Sequence, residues 1–290
     1  MPQVDSIQEL GQFFLPLAIN GSTFPPHYFI LDTGAGMSAI DVSLAQSLNL
    51  TTIGYAELAG TAGVINVPIK QIDTLAPLRR MLPVTELTQY DLIATTQDLS
   101  QFKVPYPATH EAGLLGNNFL RHFIVELEFL PPALHIYRPQ GYLPPGVDGT
   151  RFINIWLDGH HIMRVQGRLD GWLEVDLRVD SGAASLSLAG PYLNLPVAVW
   201  KKLCDKHPEY YFYTTLNAGG MGGPVELNVA RIGSLEIGSL RFDYPSVVVQ
   251  PEQGIFANKD AVGFISLNLF ESRRWMTIDY PAGRIYLGQP

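Results

Sequence analysis

One pattern occurs twice in this chain, and it constrains every other reading. The first copy is Phe29-Ile30-Leu31-Asp32-Thr33-Gly34-Ala35, and the second is Leu177-Arg178-Val179-Asp180-Ser181-Gly182-Ala183. Each puts an apolar, strand-like run directly before Asp-(Thr/Ser)-Gly-Ala. Further on, Gly113-Leu114-Leu115-Gly116-Asn117-Asn118-Phe119-Leu120 is matched by Gly263-Phe264-Ile265-Ser266-Leu267-Asn268-Leu269-Phe270. The two aspartates are 148 residues apart and the two later segments 150. Each half then ends on a similar hairpin, Val125 to Phe129 with His135-Ile136-Tyr137, against Met276 to Tyr280 with Arg284-Ile285-Tyr286. Three landmarks in one order at a nearly constant offset indicate duplication.

The repeat sets the domain organisation. Residues 1–140 form one expected domain and 151–290 a second. The segment 141–150, within the Pro- and Gly-rich stretch Pro139–Gly149, serves as linker. Strand signals dominate both halves. Phe13 to Ile19 reads as a strand, Asn20-Gly21 as a hairpin turn and Tyr28 to Leu31 as its return. Asp158-Gly159 and Asp170-Gly171 repeat the turn signal. Two short helices are expected, Asp41 to Leu48, capped by Asp41 or Ser43, and Pro196 to Lys206. The region from Tyr192 to Tyr211 reads as an insertion with no counterpart in the first half, forming a surface helix.

A carboxylate at the end of an apolar strand, followed by a hydroxyl residue and glycine, suits an acid held at a buried loop tip. Gly34 and Gly182 permit a sharp turn and close approach, and the Thr33 and Ser181 hydroxyls can brace backbone. One such Asp says little. Two in register across a repeat can meet at a shared axis, where they cannot both ionise cheaply and so share a proton. Such a pair can activate water.

These residues give the chain a resemblance to the retropepsin and pepsin superfamily of aspartic peptidases, once per half. Asp-Thr-Gly-Ala with Leu114-Leu115-Gly116 and Asn118-Phe119-Leu120 is closer to retropepsin-like domains than to pepsin. Ser266 departs from the glycine expected after the second hydrophobic pair. The resemblance implies an all-β fold of two pseudo-twofold-related barrel domains with few short helices. It implies Asp32 and Asp180 as the catalytic pair, supported by Thr33, Gly34, Ala35, Ser181, Gly182 and Ala183. It also implies mobile hairpin flaps over a cleft, at Gly60, Thr61, Ala62 and Gly63 in one half and Gly219, Gly220, Met221, Gly222 and Gly223 in the other. The glycines by themselves also fit plain hairpins. The expected function is aspartic endopeptidase, with a peptide- or inhibitor-binding protein of the same fold as the alternative.

Other features narrow the classes. Acidic residues exceed basic ones by eight in 290 residues, which disfavours nucleic acid and anionic membranes as partners. No metal or organic cofactor is expected. The expected partner is a peptide or protein substrate, with the chain acting as a monomer. A single cysteine, Cys204, rules out an intramolecular disulfide; it reads as a small core residue of the second helix. No signal peptide or transmembrane run is visible, so a cytoplasmic location and no membrane insertion are expected. His160-His161 reads as a solvated hairpin edge, because adjacent strand residues face opposite ways.

Overall fold

The computed structural model describes residues 3–60, 63–100, 102, 104, 112–143, 152–186, 188, 190–220, 223–258 and 260–288. Most of the expected linker, 144–150, lies outside them. So do Thr61, Ala62, Met221 and Gly222 of the expected flaps.

Each half begins with an antiparallel hairpin that leads to its aspartate. In the first, Gln12–Ile19 pairs with Ser22–Leu31. Asn20 and Gly21 take φ of 49° and 80° at the turn, the positive values this hairpin connection demands. Every residue from Phe13 to Ile19 is buried, so the run is continuously apolar instead of alternating. In the second half, Met163–Leu169 pairs with Leu173–Val179 around Asp170-Gly171.

The strand carrying the second landmark then threads beside the first. Gly113–Leu115 runs parallel to the end of Ser22–Leu31, with Leu115 opposite Leu31, and antiparallel to Ala39–Asp41. Gly263–Ile265 repeats this against Leu173–Val179, with Ile265 opposite Val179, and against Tyr192–Pro196. The Ser266 departure therefore leaves the threading unchanged. In the first half the strands close into a ring, because Gly63–Arg79 pairs with both Gln89–Gln97 and Gln12–Ile19.

One expectation is corrected. The region from Tyr192 to Tyr211 is not an insertion without counterpart. Tyr192–Pro196 pairs parallel with Ser246–Gln250, just as Ala39–Asp41 pairs parallel with Gln89–Gln97, and a helix follows each strand. Those helices are Val197–Lys206 and Val42–Ser47. The true difference is length. Ala39 lies seven residues after Asp32, Tyr192 twelve after Asp180, and the second helix has ten residues against six. Short sequence similarity hid the match, because pairing conserves the strand's place and not its side chains. The first helix is capped by the Asp41 carboxylate, which accepts from the Ser43 and Leu44 amides at 2.9 and 3.1 Å.

The halves share a six-stranded antiparallel sheet. Its order is Gln3–Val4, Pro132–Tyr137, Ile124–Phe129, Trp275–Asp279, Arg284–Leu287, Phe152–Asn154. Three strands come from each half, and Ile124–Phe129 meets Trp275–Asp279 at the middle with Glu126 opposite Thr277. One face of this sheet supplies Val125, Leu127, Leu134, Ile136, Met276, Ile278 and Ile285 to a core common to both halves. Each such side chain contributes about 1.5–3 kcal/mol of burial, so the two halves are bound through their interior. Among the described residues, no helix is long and apolar enough to cross a membrane.

Candidate active site

Asp32 and Asp180 sit where the two threaded strands end. The Asp32 amide donates to the Leu115 carbonyl at 3.0 Å, and the Asp180 amide to the Ile265 carbonyl at 2.8 Å. After each aspartate the chain turns back on its own carboxylate. The Gly34 amide donates to Asp32 Oδ1 at 2.8 Å, and the Ala183 amide to Asp180 Oδ1 at 2.9 Å.

The hydroxyl residues lock the two loops across the pseudo-twofold axis. Thr33 Oγ1 donates to the Val179 carbonyl at 2.6 Å and accepts from the Ser181 amide at 3.0 Å. Ser181 Oγ donates to the Leu31 carbonyl at 2.6 Å and accepts from the Thr33 amide at 3.0 Å. Thr33 and Ser181 are both buried, so each of these bonds is made where water cannot substitute.

The glycines that follow leave room for the opposite carboxylate. A Cβ on Gly34 would lie 2.6 Å from Asp180 Cγ, and one on Gly182 would lie 2.5 Å from Asp32 Cγ. Each half's loop thus lies against the acid of the other, which sets the two carboxyl groups side by side at the axis. Loss of water around Asp180 pushes its carboxyl above the usual range. The Ala183 and Gly182 amides and the Arg178 charge pull the other way and only partly offset it. Two carboxyls so placed cannot both ionise cheaply.

The structure places Ala35 and Ala183 beside the acids without a side-chain hydroxyl to donate to them. Of the expected flap residues, Gly60 and Gly63 pair at the end of the hairpin Thr52–Gly60/Gly63–Arg79, and Gly220 and Gly223 at the end of Phe212–Gly220/Gly223–Arg231. Gly219 lies opposite Pro224. Both halves therefore carry a long hairpin in the same topological place.

Several contributors are not legible from the repeat. The Gln12 side-chain amide donates to the Gly182 carbonyl. Arg178 stands two residues before Asp180 on the same strand, so strand alternation puts both on one face, where the first half has Ile30. Tyr280, with a hydroxyl that has no partner among the described residues, is held in its neutral phenol form by burial and by the charge of Asp32. Each arises from a difference between the halves, which a search for identity passes over. His160 and His161 are exposed, on a turn whose His160 carbonyl lies against Gly36. Cys204 is partly buried against the core, and burial raises its thiol pKa.

Residues 15–119 match the family described as aspartyl protease. That span contains Asp32-Thr33-Gly34 and the threaded strand Gly113–Leu115. Among solved structures, the chain is similar to the crystal structure of a retropepsin-like aspartic protease from Rickettsia conorii. The identity is 15%, the coverage 47% of this chain and 89% of that one, and the TM-score 0.32. No curated protein matches the chain.

Proposed function

We propose that this chain, whose residues 15–119 match the aspartyl protease family, is a single-chain aspartic endopeptidase with Asp32 and Asp180 as its catalytic pair. The observation that carries the reading is the reciprocal lock of Thr33 and Ser181, which holds two carboxyl groups in contact at the ends of equivalent strands. A carboxyl pair with one proton is both an acid and a base. A water placed between the two gives its proton to the ionised member as its oxygen attacks the scissile carbonyl carbon. The protonated member donates to the carbonyl oxygen. In the resulting gem-diol the C–N bond breaks as the amine nitrogen takes a proton from the pair, and one proton returns to the two carboxyls. No covalent intermediate is formed.

The substrate would lie extended under the two hairpins, hydrogen-bonding through its backbone and filling pockets with alternate side chains. Because one chain supplies both acids, the unit of activity is the monomer.

Digestion of a diverse peptide library at several pH values, read by mass spectrometry, tests this. Asp32→Asn and Asp180→Asn should each lower turnover by roughly 10²–10⁴-fold with unchanged circular dichroism. Near-normal turnover in either variant would refute the paired mechanism. Tight peptide binding by the native chain without cleavage would favour a binding protein.

A further inference from the structure

The hairpin Ile124–Phe129/Pro132–Tyr137 turns its apolar residues into the shared core. Its other face carries Glu126, Glu128, His135 and Tyr137. Register sets Glu126 opposite His135 on one side and Thr277 on the other. The ligand atoms of Glu126, Glu128 and His135 lie within 4.8 Å of one another. They line a cleft of about 900 Å³, with Tyr137, Tyr142 and Arg138 among its walls.

Two further observations ask for a cation. Glu126 is 7% exposed, and its carboxylate is met by neutral hydroxyls. Tyr137 donates to Oε1 at 3.3 Å, while Tyr142 and Thr277 donate to Oε2 at 3.0 and 3.3 Å. Among the described residues no cationic side chain forms an ion pair with it. A carboxylate buried among neutral donors is costly unless a positive charge joins it. His135 is 9% exposed, its Nε2 lies 3.1 Å from Glu128 Oε1, and its Nδ1 has no partner among the described residues.

We propose that Glu126, Glu128 and His135 bind a divalent transition-metal cation of the zinc type. Two carboxylates and one imidazole balance its charge, and the imidazole favours it over magnesium or calcium. Tyr137, Tyr142 and Thr277 orient Glu126 from behind, the usual office of outer partners around a metal. Thr277 belongs to the C-terminal half and Tyr142 to the segment after the hairpin. The ion would therefore tie three parts of the chain together on the polar face of the shared sheet. Its role is structural, and it is independent of peptide hydrolysis.

Calorimetric titration of the intact protein with Zn²⁺ and, separately, Mg²⁺ tests the site. One Zn²⁺ per chain should bind at about 1 μM or tighter, with Mg²⁺ at least ~100-fold weaker. Glu128→Gln, at the partly exposed ligand, keeps the fold and should weaken Zn²⁺ by at least ~10-fold, as should His135→Gln. Cys204→Ser should change nothing. Bound Co²⁺ should show the visible absorption of a low-coordinate site. Zinc no tighter than millimolar, equal zinc and magnesium affinities, or unaltered zinc binding in both ligand variants would overturn the proposal. Peptide cleavage plays no part in these readouts, so either proposal can fail alone.

Discussion

In the N-terminal half one strand, Gly63–Arg79, runs unbroken from the hairpin tip to the far edge of the barrel. In the C-terminal half the same path is cut into Gly223–Arg231 and Ser234–Ile237. The first piece pairs with Ser246–Gln250 and the second with Met163–Leu169, so the ring still closes. Side chains supply what the ladder lost. Asp170 accepts from the Ser234 amide at 2.8 Å and from the Tyr210 hydroxyl at 2.8 Å, while Tyr210 in turn accepts from the Gly233 amide at 3.0 Å. Backbone continuity is thus replaceable where a carboxylate and a phenol can take over the bonds.

The loops nearest the acids show a second exchange. In the N-terminal half Ser38 Oγ accepts from the Gly116 amide at 3.0 Å and donates to Asn118 Oδ1 at 2.8 Å. The C-terminal half has Leu186 at the matching offset, and Ser266 in place of Gly116. There Ser266 Oγ donates to Asn268 Oδ1 at 2.7 Å. The hydroxyl has moved from one strand to its neighbour and still meets the asparagine. The Thr33/Ser181 lock, by contrast, is the same in both directions. What must serve both halves at once stays symmetric, and what serves one half drifts.

The strongest break of this comparison is at the lock. Thr33→Val leaves the Val179 carbonyl and the Ser181 amide unpaired and buried. It should cost roughly 2–5 kcal/mol in urea unfolding, and Ser181→Ala should cost a similar amount. A cost under about 1 kcal/mol for either would show that the lock does not hold the halves. The exchanged hydroxyls should differ in degree. Ser38→Ala strands a buried amide and should cost about 1–3 kcal/mol, whereas Ser266→Ala loses one donation and should cost about 0.5–1.5 kcal/mol. Gly116→Ser should not copy the C-terminal arrangement, since its Cβ would lie 2.6 Å from the Met37 carbonyl carbon. Equal costs for Ser38→Ala and Ser266→Ala, from the same unfolding curves, would deny the exchange.

The smallest effect concerns pH. Desolvation raises the Asp180 pKa, so the pair keeps its shared proton further up the pH scale, and activity should fall as pH rises past the loss of that proton. An optimum of roughly pH 4–6 is expected. Ala35→Ser with Ala183→Ser adds donors that favour the ionised form, and the descending limb should move down by roughly 0.5–1 unit. A limb that moves up, or a native optimum at pH 2 or in alkali, would contradict this account.

Much is legible in the sequence alone. Asp32 and Asp180, the hydroxyl residues and glycines after them, the first hairpin with its Asn20-Gly21 turn and the two helices could all be read from motif, period and capping residues. These are local signals, and each is carried by a few neighbouring residues. Tertiary structure decided the rest. It made Tyr192–Pro196 the counterpart of Ala39–Asp41, because pairing partners define a strand's identity and those partners are distant in sequence. It set Arg178 and Tyr280 beside the acids, at positions of the repeat where the first half has Ile30 and Phe129. It also gathered Glu126, Glu128 and His135, which a hairpin register and a third strand bring within reach of one another. A one-dimensional repeat fixes which residues recur. Only closure of the sheets fixes which unlike residues meet.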